Sequence, residues 1–121
     1  MKNQTYRMTM LFDFYGELLT TRQKELFDLY YNEDLSLTEI AEHADISRQG
    51  VRDVIVRAET AMQDIEDKTG LIRRFEQMRP HLDAIEEASV KLTHINDRQY
   101  LNPEVAQLCN TIGAEVAALK E

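Results

Sequence analysis

The chain has 121 residues, with 14 basic against 22 acidic side chains and a net charge of −8. That length gives one domain, or a small domain with a helical extension, and a hydrophobic fraction of 43% is enough to build a core. The acidic balance excludes a protein that coats nucleic acid or anionic membrane without sequence preference. With four Gly, two Pro and no alternating β-branched run, the composition reads all-α.

Residues 1–5 read as a loose terminus. From about Tyr6 to Leu19 the spacing predicts a helix, with Leu11, Phe14, Tyr15, Leu18 and Leu19 along one side. Tyr6, Phe12, Phe14, Tyr15, Phe27, Tyr30 and Tyr31 all fall in the first 31 residues, so an aromatic-rich core is expected there. A second helix starts at Thr20 or Thr21. Thr20 followed by Gln23 has the spacing of a capping box, in which each side chain satisfies the other's free backbone N–H. Leu26, Phe27, Tyr30 and Tyr31 form its apolar side, and Asn32-Glu33-Asp34 ends it.

Ser36 to Glu59 reads as a helix-turn-helix. Ser36 and Glu39 repeat the capping-box spacing, and Leu37, Ile40, Ala41 and Ala44 share one face. Asp45-Ile46 is a corner. Its first residue must take the left-handed conformation that Gly usually provides and Asp tolerates. Ile46 is placed to plug the space between the two helices, and small Ala41 lets them approach. Ser47 caps the second helix, whose inner face is Val51, Val54, Ile55 and Ala58. Ala61, Met62 and Ile65 continue that stripe, so the helix is expected to run to Lys68 and stop at Thr69-Gly70.

Arg48, Gln49, Arg52, Asp53 and Arg57 are left outside. Arg48, Arg52 and Arg57 against Asp53 leave a local surplus of two positive charges in an otherwise evenly acidic chain. Early residues of a recognition helix reach base edges, so Arg48, Gln49 and Arg52 are the candidate base contacts. Arg57, two turns on, is the candidate phosphate contact. The alternative is a solvated polar face, favoured by the overall acidity and by Asp53.

Beyond Gly70, the residues Leu71, Phe75, Met78, Leu82, Ile85, Ser89 and Leu92 alternate steps of four and three, a heptad-like stripe. Pro80 is expected to kink or divide that helix near Arg79. Asn102-Pro103 opens a last helix with the stripe Val105, Leu108, Cys109, Ile112, Val116 and Leu119. The expected organisation is a helix-turn-helix domain over 6–70 and a C-terminal helical segment over 71–121 that pairs two copies into a homodimer.

Other chemistry is sparse. The single cysteine, Cys109, cannot form an intramolecular disulfide and lies on an apolar stripe, so a buried thiol in a reducing, cytoplasmic setting is expected. His43, His81 and His94 are scattered, and no metal site is expected. Asp83, Glu86 and Glu87 read as a solvated acidic face. The sequence contains no phosphate-cradling Gly-rich loop and no activated nucleophile, which points away from an enzyme, a cofactor or a small-molecule substrate. No apolar run is long enough to span a bilayer.

The run from Arg7 to Asp53 resembles the YlxM-like helix-turn-helix proteins of Gram-positive bacteria. The resemblance is carried by Leu11-Phe12-Asp13-Phe14-Tyr15, Leu18-Leu19-Thr20, Gln23, Leu29-Tyr30-Tyr31, Asp34-Leu35-Ser36-Leu37, Glu39-Ile40-Ala41, Ser47-Arg48-Gln49 and Leu71-Ile72-Arg73-Arg74-Phe75. The motif itself is similar to region 4 of sigma factors, a winged-helix-like arrangement without the wing. Gly50, Arg52, Val54 and Val56 stand where that family pattern leads one to expect Ala, an aromatic, Asn and a basic residue. The resemblance implies an all-α dimer with a regulatory role in the signal recognition particle pathway, by association with its genes. It makes the particle's protein, or its receptor, a partner to test beside DNA.

Overall fold

The computed structural model describes residues 5–121. The terminus expected to be loose lies outside them, except Thr5, which opens the first helix. The chain divides into two compact units, one extending to Ile72 and the other spanning Arg73–Glu121. All regular structure among the described residues is helical.

In the first unit, α1 (Thr5–Tyr15) is followed by a 3-10 turn (Gly16–Leu18), α2 (Thr21–Tyr31), α3 (Leu37–Ala44) and α4 (Arg48–Thr69). The helix expected to reach Leu19 therefore stops at Tyr15. The chain turns at buried Gly16, where a Cβ would come within 3.0 Å of the Phe12 ring. The tighter turn swings Leu18 outward, and Phe14 is also on the outside, so of the expected side Leu11 and Tyr15 are buried, joined by Met8. The capping boxes at Thr20/Gln23 and Ser36/Glu39 are both present. Asp45 sits at φ 56°, in the left-handed region.

The centre of this unit's core is Leu11, Phe27, Ile40, Val51, Ile55, Met62 and Ile72, with small Ala58 among them, each with essentially no exposed surface. Aromatic rings fill the space beside α2. Phe12 stacks on Phe27 with centroids 4.8 Å apart, Phe27 meets Tyr31 at 4.6 Å, and Tyr30 meets Tyr31 edge-on at 5.0 Å. Such pairs add about 0.5–1.5 kcal/mol each beyond the area they bury. Ile46 packs half-buried against the same core, which holds the corner between α3 and α4 closed.

Two polar bonds pin α4 from the sides. The Tyr31 hydroxyl donates to Glu59. The Tyr15 hydroxyl donates to Glu66 Oε1 at 2.6 Å, and the same oxygen accepts the Ile72 backbone N–H at 2.9 Å. Glu66 is thus a buried carboxyl that ties the end of α1 to the turn after α4. Gly70 closes α4 in the left-handed conformation at φ 63°.

In the second unit, α5 (Leu71–Ile95), most of which belongs here, leads through a π turn (Asn96–Tyr100) to α6 (Pro103–Lys120). The expected division at Pro80 does not occur, and α5 runs through it as one helix. Proline cannot donate to the carbonyl four residues back, and exposed Glu76 leaves that group within reach of water. Asn96 organises the turn, with its side chain donating to the Asn102 carbonyl at 2.8 Å and accepting the Asn102 N–H at 2.9 Å. Asn102 then caps α6 with Pro103 at its first position. Cys109 is buried, and Ser89 donates to its backbone carbonyl at 3.1 Å.

Candidate nucleic-acid interface

The corner between α3 and α4 fixes where the candidate residues stand. Ser47 accepts the Gly50 N–H at 2.9 Å, satisfying one of the free donors of the first turn. Gly50 is a close-approach position, since a Cβ there would lie 3.1 Å from Ser47 Oγ and 3.7 Å from the end of Ile46. With Val51, Ile55, Ala58 and Met62 turned into the core, the helical period leaves the opposite side of the first turns to solvent. Arg48, Gln49, Arg52 and Arg57 are all exposed.

The four differ in how they are held. Arg48, Arg52 and Arg57 have no carboxylate partner among the described residues, so all three guanidinium groups stand free on the helix surface. Gln49 does not. Its amide donates to Asp53 Oδ1 at 3.0 Å, one turn along the same helix. A base reached by Gln49 would have to break that bond. Val54 is half-buried against the core, so an apolar residue fits there. Val56 is half-buried as well. The surface that remains is a short basic edge, with the positive end of the helix dipole adding to Arg48 and Arg52. It offers guanidinium forks for guanine edges or phosphate oxygens, chemistry that suits recognition and not bond-breaking.

Other features lie apart from this edge. A surface recess of about 370 Å³ is lined by Arg22, Glu25, Asp28, Leu29, His43 and Ala44, with one guanidinium beside two carboxylates. Among the described residues, no group of three or more His, Cys, Asp or Glu side chains is placed to hold a metal ion. No described helix is long and apolar enough to cross a membrane. Sequence reasoning missed Glu66, Tyr15 and Tyr31 as a polar frame for α4. Only the unusual pairing of Tyr and Glu at otherwise apolar helix positions could have signalled it.

Comparison with known proteins is consistent with this geometry. A family model for helix-turn-helix proteins of the YlxM / p13 like kind, UPF0122, matches residues 2–101. A UPF0122 protein of Thermoanaerobacter is 42% identical over 112 residues, covering 93% of this chain and 92% of its own. One from Listeria innocua is 41% identical over 98 residues, covering 81% and 89%. One from Bacillus thuringiensis is 38% identical over 112 residues, covering 93% and 96%. With the tight capped corner in place and the match running along most of its length, the chain belongs to the UPF0122 family of YlxM / p13 like helix-turn-helix proteins.

Proposed function

We propose that this protein is a non-enzymatic regulator that contacts duplex DNA through the first turns of α4. The observation that carries the reading is the free state of Arg48, Arg52 and Arg57 on an exposed, capped helix in a chain that is otherwise acidic. Arg48 and Arg52 serve base edges, Arg57 serves a phosphate, and Gln49 contributes only after releasing Asp53. The three guanidinium groups of one α4 displace two to three condensed counterions, whether they lie in the groove or on a phosphate, which gives a log–log salt slope of about −2 to −3 for one copy and roughly −4 to −5 for two. The test is a titration of the protein against its own upstream DNA at several salt concentrations. Arg52→Ala is expected to cost about 1–3 kcal/mol at a specific site and little elsewhere. Binding that ignores both salt and Arg52 overturns the reading.

A second reading is favoured by the net charge of −8 and by the bond that holds Gln49 to Asp53. Here the motif is a scaffold, and the acidic surface meets a basic protein. The family resemblance directs the search to the signal recognition particle's protein and its receptor. Purified partners should then bind in mild salt, and charge reversal at Glu86 and Glu87 should weaken them. Failure of both partners to bind removes this reading.

A further inference from the structure

One carboxylate stands among the cations on the exposed side of α4. With Val51, Ile55, Ala58 and Met62 buried, the helical period fixes where the other side chains point. At about 100° per residue, Asp53 lies within roughly 10° of the direction straight away from the core, and Gln49 about 30° to one hand of it. Arg52 lies beyond Gln49, about 90° from that direction, and Arg57 about 50° to the other hand. The side chain at the middle of the basic edge is therefore an acid. Asp53 is exposed, and its carboxylate accepts from the Gln49 amide at 3.0 Å.

A helix that enters the major groove presents that middle to the base edges. Asp53 then faces the floor of the groove as an acceptor and nothing else. Placing its charge between two phosphate strands is unfavourable, and leaving it there without a donor is more so. Arg52 and Arg57, on either hand, offset part of the repulsion. Once Gln49 turns to a base, Asp53 Oδ1 has lost its donor, and the DNA itself must supply one.

The bases differ in whether they can. On their major-groove edges cytosine offers the N4 amino group and adenine the N6 amino group, whereas guanine and thymine turn only acceptors and a methyl group towards the groove. A carboxylate against guanine O6 or thymine O4 sets acceptor against acceptor. Adenine is a poorer match than cytosine, since its N7 acceptor lies beside the amino group, where cytosine has only a C–H. The donor that fits is cytosine N4.

We propose that Asp53 is the specificity-determining residue of α4, and that it selects cytosine on the strand it faces by accepting from N4. The proposal rests on α4 being the helix that contacts DNA. The arginines supply most of the attraction, and they find guanine edges or phosphates on many sequences. The acid supplies rejection, because guanine or thymine at its position leaves a charge unpaired in the groove. The Gln49 bond has a part in this scheme. It satisfies Asp53 Oδ1 while the helix is free, and on a matching site one donor is exchanged for another. Where no amino group faces Asp53 the exchange fails, Gln49 stays on Asp53, and both are lost to recognition.

The experiment is selection of binding sites by the purified full chain from randomised duplex DNA, repeated with Asp53→Asn and Asp53→Ala. Asp53 is exposed, so both variants should keep the thermal midpoint of the parent chain, which is measured alongside. The wild type should enrich sites with a cytosine position favoured over the other bases about five- to hundredfold. Asp53→Asn should move that position to adenine, whose N6 and N7 an amide matches. Asp53→Ala should make it indifferent, leave the positions read by the arginines in place, and tighten binding to unrelated duplex because a repelled charge is gone. A wild-type motif in which no position responds to either variant overturns this assignment alone and leaves α4 as the reader. No enriched sequence at all overturns α4 as a reader of bases, and the proposal with it.

Discussion

At the scale of single residues, the buried carboxyl of Glu66 sets the sharpest expectations. Its Oε1 accepts from Tyr15 and from the backbone of Ile72, so it gathers donors from two ends of the fold. Tyr15→Phe removes one donor and leaves a buried acceptor short. The expected loss is about 1–2 kcal/mol, read as a lower urea midpoint at unchanged slope. The tyrosines also give an alkaline signature. Burial, and then the bond to Glu66, holds the Tyr15 hydroxyl above its usual 10.0. Burial and Glu59 push Tyr31 in the same direction. Above about pH 10 the unfolded chain releases these protons while the folded chain keeps them. The unfolded state then binds fewer protons, so stability that is complete below pH 10 falls as the pH rises past it. Urea midpoints measured upward from neutral pH should stay level on this account and then decline, and Tyr31→Phe should soften the decline.

At the scale of elements, caps and breakers act as their chemistry dictates. Ser47→Ala should cost about 1 kcal/mol, because the Gly50 N–H loses its acceptor. The same change should loosen the turn that carries Arg48 and Gln49. Amide exchange over residues 48–51 would show it as faster exchange than in the parent chain. Pro80→Ala restores a backbone donor inside α5 and should raise the thermal midpoint, by up to ~3 kcal/mol of stability if the helix relaxes fully. A lower midpoint would mean that proline is serving the packing there.

Elements were also where the sequence was most and least informative. The caps at Thr20, Ser36, Ser47 and Asn102 were legible because a short polar side chain beside a helical stripe has a single local purpose. The left-handed Asp45 was legible for the same reason. The early end of α1 was not. It depends on Gly16 lying against the Phe12 ring, a contact that apolar spacing does not encode. The exposure of Met78, Ile85 and Leu92 was equally hidden, since a heptad stripe reads the same whether its partner lies in this chain or in another. Arg48, Arg52 and Arg57 stand exposed where the helical period puts them, whereas the bond from Gln49 to Asp53 joins two residues that had been read separately.

At the scale of the molecule, the two units differ in how they are held. The unit ending at Ile72 has a core that includes eight side chains closed to solvent, whereas the unit from Arg73 onward buries a seam of five residues, two of them polar. A two-helix hairpin of that kind has little stability of its own, because most helical stability comes from burying an amphipathic face. If the second unit pairs two copies, as its heptad-like stripes lead one to expect, amide exchange over 78–119 should slow as protein concentration rises. Exchange over 51–62 should not change. Concentration-independent exchange in both stretches would point to a hairpin that is stable alone.

One further consequence follows from α4. Its 22 residues form a single rod of about 33 Å, and the turns that expose Arg48 and Arg52 belong to the same helix that carries Ile55, Ala58 and Met62 into the core. The basic edge is thus already ordered before anything meets it. A ligand there gains no new folded structure, so its binding should proceed with a small heat-capacity change and little ordering entropy to overcome. Calorimetry at several temperatures would then give an almost flat enthalpy, the mark of a surface that is built in advance.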